Sequence, residues 1–193
     1  MKEAGRVIAG SARGTRLEAP GPATRPLADR VKETLFAILE PGLRGARVLD
    51  LYAGSGAAGI EALSRGASGA TFVERDKAAL AVIERNLART KLGGPAVLIV
   101  RGSVASFLDR TPPLPAQRFD VVVLDPPYDD PAELLTTLGR LGRSDGHLRP
   151  GGRLVAKHFW RDAPPARIGL LASERVRRFG ETALTFYRIE EDG

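Results

Sequence analysis

The chain has 193 residues, of which 27% are charged and 43% hydrophobic, and it carries a formal net charge of +6 at pH 7. This length suits a single domain with an adequate hydrophobic core. The absence of cysteine excludes disulfides and thiolate metal sites, and two histidines are too few for a histidine-rich centre. We therefore expect a protein without a metal ion.

We expect neither a membrane segment nor a signal peptide in this chain. No stretch approaches the roughly 18–20 apolar residues that a membrane helix needs, and the N-terminus lacks an apolar signal-peptide core. We expect a soluble, cytoplasmic monomer that does not contact a membrane. The positive charge favours a polyanionic partner such as nucleic acid, although an arginine-rich genome would give the same bias.

Residues 1–28 are predicted to be a basic N-terminal extension, hairpin-like or irregular, because they are rich in Gly, Pro and Arg. Seven basic and three acidic side chains lie within residues 1–32. The main domain is predicted to span residues 29–193. It should begin with a helix over residues 30–39, capped by Asp29, in which apolar residues recur at helical spacing.

From residue 46 onwards, apolar strands alternate with amphipathic helices. Strands are predicted at 46–52, 70–74, 96–100, 119–124 and 153–157, and helices at 57–65, 77–91, 104–109 and 131–142. This alternation indicates an α/β fold with a mainly parallel sheet covered on both faces. Residues 174–179 and 183–189 have no helix between them, so they should form an antiparallel C-terminal hairpin. Together these patterns predict a Rossmann-like fold of the methyltransferase type.

A glycine loop follows the first strand of this core, in the sequence Asp50-Leu51-Tyr52-Ala53-Gly54-Ser55-Gly56. Its glycines allow close approach of the backbone to a ligand at the carboxyl edge of the sheet. Glu74 ends the next strand, at a distance along the chain that is typical of an acidic residue binding ribose hydroxyls. We predict that these residues bind a nucleoside cofactor through Asp50, Tyr52, Ala53, Gly54, Ser55, Gly56, Glu74 and Arg75.

Two kinds of cofactor are compatible with a glycine loop. Residues 54–59 also match the G-x-G-x-x-G pattern of dinucleotide dehydrogenases. A pyrophosphate would be repelled by the Asp50 carboxylate, whereas the ammonium and sulfonium of S-adenosylmethionine would be attracted to it. The sequence therefore favours S-adenosylmethionine, with S-adenosylhomocysteine as product. Ser103, after the third strand, could bond the adenine or could equally cap a helix.

The second candidate element is Asp125-Pro126-Pro127-Tyr128, directly after the fourth strand. Asp125 and the Pro126 carbonyl could accept hydrogen bonds from a planar amine and direct its lone pair at the methyl donor. The two prolines fix the backbone, so these acceptors would be pre-organised, and Tyr128 could stack on a flipped base. A simple turn is the alternative for an isolated Asp-Pro-Pro. Its position at the end of the fourth strand favours amine methylation.

These residues resemble the RsmD family of bacterial 16S rRNA guanine-N2 methyltransferases over nearly the whole chain. The resemblance lies in Arg6-Val7-Ile8-Ala9-Gly10, Arg13-Gly14, Leu17, Arg25-Pro26, residues 29–36, residues 59–67, residues 125–128, residues 179–182, Leu184 and Tyr187. It implies methyl transfer to a guanine N2 in 16S rRNA, within the small ribosomal subunit. It also implies that the catalytic set is Asp125, Pro126, Pro127 and Tyr128.

The Asp-Pro-Pro-Tyr element is shared with adenine-N6, cytosine-N4 and protein-glutamine methyltransferases, so another RNA or DNA amino-methyltransferase stays an alternative. A non-catalytic RNA-binding assembly factor is a second one. For phosphate contacts we predict the basic extension, with Arg13, Arg16, Arg25 and Arg30; a solvated arm is the alternative. His158, Phe159 and Trp160 could line the target pocket, but a core or loop role is favoured, and Lys157 is left open.

Overall fold

The structure, a computed structural model, describes residues 3–21, 28–110, 114–127 and 130–190. Within these residues, no helix is both long and apolar enough to cross a bilayer. The N-terminal half contains β1 (Glu3–Arg6), β2 (Arg16–Glu18), α1 (Asp29–Leu39), β3 (Arg47–Leu51), α2 (Ala57–Ser64), β4 (Gly69–Glu74), α3 (Lys77–Thr90) and β5 (Val97–Arg101). The C-terminal half contains α4 (Val104–Leu108), β6 (Phe119–Leu124), α5 (Pro131–Leu141), β7 (Leu148–Phe159), β8 (Arg167–Ile168), β9 (Leu171–Phe179) and β10 (Thr182–Ile189).

Eight strands form one sheet in the order β5-β4-β3-β6-β7-β10-β9-β8. The first five run parallel to one another, and β10, β9 and β8 are added antiparallel. This arrangement confirms the predicted α/β class, with a mainly parallel sheet and an antiparallel C-terminal hairpin. Because the parallel strands share a direction, all their carboxyl ends lie at one edge of the sheet.

The parallel strands are apolar because both faces of the sheet are covered. In β3, Leu49 packs in a cluster with Leu138 of α5, whereas Val48 packs with Leu35 and Phe36 of α1. All five side chains are at most 1% exposed. Two packed layers of helices therefore hold the sheet rigidly and fix the loops at its carboxyl edge.

The predicted cap of the first helix is wrong. Helix α1 begins at Asp29 itself, after Ala28, and no side chain caps it. Asp29 does not occupy the capping position because it is the first helical residue, and its carboxylate lies 3.4 Å from the Arg6 guanidinium. The two-residue strand β8 was also not predicted, and β7 and β9 are longer than expected. These extensions exist because neighbouring strands supply hydrogen-bond partners, which local sequence does not show.

The N-terminal residues pack on the outside of α2 and α3. Strands β1 and β2 form an antiparallel pair, and Val7 and Leu17 join the cluster of Ile60 and Leu87. The side chain of Asn86 in α3 binds this hairpin through two hydrogen bonds. Its Oδ1 accepts from Glu18 N at 2.8 Å, and its Nδ2 donates to Glu18 O at 3.0 Å. The domain boundary at residue 28 stays a prediction.

Candidate active site

A cavity of about 870 Å³ opens at the carboxyl edge of the sheet. Both predicted elements, the glycine loop and the residues after β6, line it. The predicted residues in its wall are Asp50, Tyr52, Ala53, Gly54, Ser55, Glu74, Arg75, Ser103, Asp125, Pro126 and Pro127. Tyr128 and Arg25 lie outside the described residues. Two segments separated by about seventy residues in sequence therefore meet in one cavity.

The glycine loop turns sharply from β3 into α2. Gly54 has φ of 55° and Gly56 has φ of 74°, both in the left-handed region that favours glycine. Gly56 lies behind the loop, where an added Cβ would meet Ile83 at 3.2 Å and Phe72 at 3.3 Å. Its function in the structure is thus to let the loop lie close to the core, while Gly54 faces the cavity.

Glu74 is fixed in the cavity wall by backbone donors. Its Oε2 accepts from Gly54 N at 2.8 Å, and its Oε1 accepts from Arg75 N at 2.8 Å and from Asp76 N at 2.9 Å. A carboxylate offers about four acceptor positions, so it can still accept from a ligand hydroxyl. The bond to Gly54 also ties the end of β4 to the glycine loop.

Asp50 is almost completely buried, at 2% exposure, and its Oδ2 accepts a hydrogen bond from Gly59 N at 2.8 Å. Burial raises its pKa to about 8; the Gly59 hydrogen bond opposes this, and the charges of Asp125 and Glu74 add to it. Burial therefore favours the protonated form of this carboxyl. A cationic ligand in the cavity would favour its ionised form.

Tyr52 and Ser103 both line the cavity but have protein partners for their hydroxyl groups. Tyr52, with φ of 59°, donates its hydroxyl to Glu133 Oε1 at 2.6 Å and contacts Thr137 Oγ1 at 3.1 Å. Burial raises the pKa of Tyr52. Ser103 caps α4, because its Oγ accepts from Ser106 N at 3.1 Å. Of the two functions considered for Ser103, the structure shows the cap, and contact with a cofactor stays a prediction.

Asp125 forms an ion pair with Lys157, a residue whose function the sequence left open. Lys157 Nζ lies 2.6 Å from Asp125 Oδ1, and the side chains are 12% and 29% exposed respectively. The two residues are neighbours because Leu124 of β6 pairs with Ala156 of β7. Lys157 also lines the cavity. The sequence did contain one indication that Lys157 has a function: it is a single basic residue at the end of the apolar run Leu154-Val155-Ala156.

His158, Phe159 and Trp160, which follow Lys157, do not line this cavity. His158 is buried, with its Nε2 2.9 Å from Thr185 Oγ1 and its Nδ1 2.8 Å from Phe159 O. Burial lowers the pKa of His158. Trp160 lies beneath the Arg178 guanidinium, 3.7 Å from the ring centroid. The favoured core and loop roles match these positions.

Of the arginines predicted to bind RNA, Arg13, Arg16 and Arg30 lie in the described residues, and none of these three lines the cavity. Arg13 lies in the turn between β1 and β2, where Ser11 N donates to Ser64 O at 2.8 Å. Ser64 ends α2, so this turn lies at the amino edge of the sheet, opposite the cavity. Arg16 and Arg30 are exposed on β2 and α1. Contact of these arginines with RNA stays a prediction.

The cavity wall also contains residues that were not predicted. Pro20 and Gly21, which follow β2, reach it, and so does Leu35 of α1. Asn86 helps to place them, since its Nδ2 donates to Ser55 O at 2.9 Å as well as to Glu18 O. This buried amide joins the N-terminal hairpin to the glycine loop. No motif marks it, because its effect depends on long-range packing.

The chain is similar to known proteins over nearly its whole length. The model of the family Conserved hypothetical protein 95 matches residues 5–188. Ribosomal RNA small subunit methyltransferase D of Escherichia coli strain K12 is 44% identical over 191 residues, covering 97% of this chain and 91% of that protein. YlbH of Bacillus subtilis strain 168 is 37% identical over 187 residues, 95% of this chain and 98% of that protein. Among solved structures, yhhF of Escherichia coli superposes with a TM-score of 0.85 at 32% identity, covering 97% of this chain and 98% of its own.

Proposed function

The chain belongs to this family, the RsmD family, and from that premise we propose that it methylates the exocyclic N2 amine of a guanine in 16S rRNA. The substrate would be the RNA of the small ribosomal subunit. The observation that supports this most directly is the shared cavity: Asp125 and Pro126, suited to holding an amine, line the same space as Glu74 and Gly54. A donor and an acceptor bound there would lie side by side.

S-adenosylmethionine supplies an electrophilic methyl group on its sulfonium. The residues of the cavity fit S-adenosylmethionine better than they fit a dinucleotide. The Gly54 N–H already donates to the Glu74 carboxylate and is not available to a pyrophosphate. Glu74 would accept from the ribose hydroxyls, and Asp50 would face the positive charge of the amino acid portion.

The amine of guanine is a poor nucleophile because its lone pair is delocalised into the ring. Asp125 would accept a hydrogen bond from this N–H group through Oδ2, since Oδ1 holds Lys157. The Pro126 carbonyl would accept the second, and Tyr128 would stack on the base. Fixing the two reactants in line can lower the activation free energy by about 7–11 kcal/mol. The nitrogen becomes acidic as it takes the methyl group from the sulfonium, so its proton would pass to Asp125 Oδ2 or to water and no strong base is needed.

The test is nucleoside mass spectrometry of small subunits that lack the modification, after incubation with the protein and labelled S-adenosylmethionine. Labelled N2-methylguanosine in the 16S rRNA is the expected result. The Asp125→Ala variant serves as the matched control and should give no label. Label on DNA, on naked RNA alone or at another base would overturn the substrate. Subunit binding without any label would favour the non-catalytic assembly factor.

A further inference from the structure

Strand β9 lies near the open edge of the sheet and is only partly covered. Its outer neighbour β8 pairs with Leu171 and Ala172 alone. Beyond these two residues, the part of the chain that the structure describes places no strand against the outer edge of β9. Every residue of 174–178, in the sequence Glu-Arg-Val-Arg-Arg, is exposed. This segment is therefore open to solvent on both faces.

Strand register puts two of its arginines on the face of the sheet that carries the active-site pair. Leu184 of β10 is paired with Lys157 on one side and with Arg177 on the other. Directly paired residues in adjacent strands share a face, so a row runs from Lys157 through Leu184 to Arg177. With strands about 4.8 Å apart, Arg177 follows Lys157 at about 10 Å along this row.

Arg175 extends the same basic surface. It is paired with Phe186, which is in turn paired with Val155, two residues before Lys157. Residues two apart in a strand are about 6–7 Å apart. Neither Arg175 nor Arg177 forms an ion pair within residues 3–21, 28–110, 114–127 and 130–190. The Arg177 Nη1 donates to the carbonyl oxygen of its neighbour Val176 at 3.0 Å, which leaves its other N–H groups for a ligand. Their nearest acidic neighbour in sequence, Glu174, is paired with Arg188 at 3.3 Å.

The tip of the β9–β10 hairpin is held in place. Trp160 N donates to Glu181 O at 3.0 Å, and Arg178 Nε donates to Gly180 O at 2.9 Å. The Arg178 guanidinium covers the Trp160 ring. The exposed guanidinium groups of Arg175 and Arg177 are thus attached to a fixed strand. They lie towards the end of the sheet at which Lys157 is located in β7.

We propose that Arg175 and Arg177 bind phosphates of the RNA strand next to the target guanine. This inference rests on the proposed function and adds the surface that would hold its substrate. A base that leaves the stack needs its flanking backbone fixed, and guanidinium groups bind phosphate oxygens in a bidentate manner. Leu184, between Arg177 and Lys157, is buried, so the RNA would not lie on the row itself. Held by the two arginines on the exposed strand β9, it would pass outside this covered part and reach Lys157 and Asp125 at the cavity.

Another explanation of the arginines is protection of an exposed strand edge from pairing with a second molecule. That explanation predicts a change in aggregation and none in RNA affinity. The phosphate-binding surface predicts the reverse. Two measurements on one variant therefore separate them.

The experiment compares Arg175→Gln/Arg177→Gln with Arg44→Gln/Arg110→Gln, in the full-length protein. The control removes two exposed charges elsewhere, before β3 and after α4. Binding to small subunits lacking the modification is measured as a function of KCl, S-adenosylhomocysteine binding by calorimetry, and aggregation by light scattering. The plot of log K against log salt has a negative slope, and in the β9 variant it should become less steep by about 1.4, because two phosphate contacts are lost. Binding of S-adenosylhomocysteine should be unchanged. The control should keep the slope of the unmodified protein.

An equal loss of RNA affinity in the β9 variant and in the control would mean that the net positive charge of the protein, and no defined surface, attracts the RNA. That result would overturn the inference. Aggregation with unchanged RNA affinity would also overturn it, in favour of edge protection. If the unmodified protein methylates the subunit and the β9 variant does so with the same KM, the inference fails while the proposed function stands. If the unmodified protein neither binds nor methylates the subunit, both fail together.

Discussion

Lys157 Nζ and Asp125 Oδ1 are 2.6 Å apart, at the ends of the neighbouring strands β7 and β6. The ion pair is partly buried and lies in the cavity wall. The lysine holds one carboxylate oxygen, Oδ1, so the other, Oδ2, would be the one to accept a hydrogen bond from an amine bound in the cavity. We therefore regard Lys157 as a positioning residue for Asp125 in the proposed reaction.

Replacement of Lys157 by Met should lower kcat with little effect on S-adenosylhomocysteine affinity. A lost hydrogen bond to a charged group costs about 1.5–3 kcal/mol, which corresponds to about 10- to 150-fold in rate. Single-turnover methylation and calorimetry measure the two quantities. Lys157→Arg keeps the cation and should recover part of the rate. Equal kcat in Lys157→Met and the unmodified protein would exclude a positioning function.

Replacement of Asp125 by Ala should lower turnover by at least about 10²-fold, the size of effect seen when one group that stabilises a transition state is removed. Asp125→Asn keeps an acceptor oxygen without the charge and should retain more activity than the Ala variant. Equilibrium binding of S-adenosylmethionine should stay close to that of the unmodified protein in both variants. Collapse of cofactor binding would assign Asp125 to the cofactor instead.

Residues whose chemistry follows from their immediate neighbours were predictable. The glycine loop and Asp125 each follow an apolar strand, and that position alone places them at the carboxyl edge. The Lys157–Asp125 pair and the row to Arg177 depend on which strands are neighbours and in which register. Asp29 was predicted to cap the helix but is its first residue, with its carboxylate paired to Arg6 from a distant segment. Local sequence carries no information on such long-range partners.

Asp50 should make stability depend on pH in a direction opposite to that of an ordinary paired carboxylate. Its folded pKa is raised from 3.8 to about 8 by burial. The folded protein keeps this proton while the unfolded chain releases it, so the contribution to stability is complete below pH 4 and is lost as pH rises through about 8. The slope from this group is at most about 1.4 kcal/mol per pH unit.

Urea unfolding of the unmodified protein and Asp50→Asn at pH 5 and pH 8 checks this. The amide can still accept from Gly59 N–H and has no proton to lose, so the variant should gain in relative stability as pH rises. Titration of the unmodified protein with S-adenosylmethionine near neutral pH, in two buffers of different ionisation enthalpy, should also reveal proton release. Parallel pH profiles of the two proteins would show that Asp50 is ionised without ligand.

Gly59, in the first half of α2, should not tolerate alanine. An added Cβ would lie 2.3 Å from Phe72 Cε1 and 2.7 Å from its Cζ, and Phe72 is fully buried. Overpacking of this kind costs about 1–3 kcal/mol, against a gain of about 0.5–1 kcal/mol when alanine replaces a helical glycine. Thermal unfolding of Gly59→Ala should show a lower Tm, and Phe72→Leu in the same chain should restore part of the lost Tm.

Gly139→Ala in α5 is the matched control, because nothing lies within 4 Å of its added Cβ. This variant should have a higher Tm. A rise in both variants would mean that α2 moves away from β4 without cost.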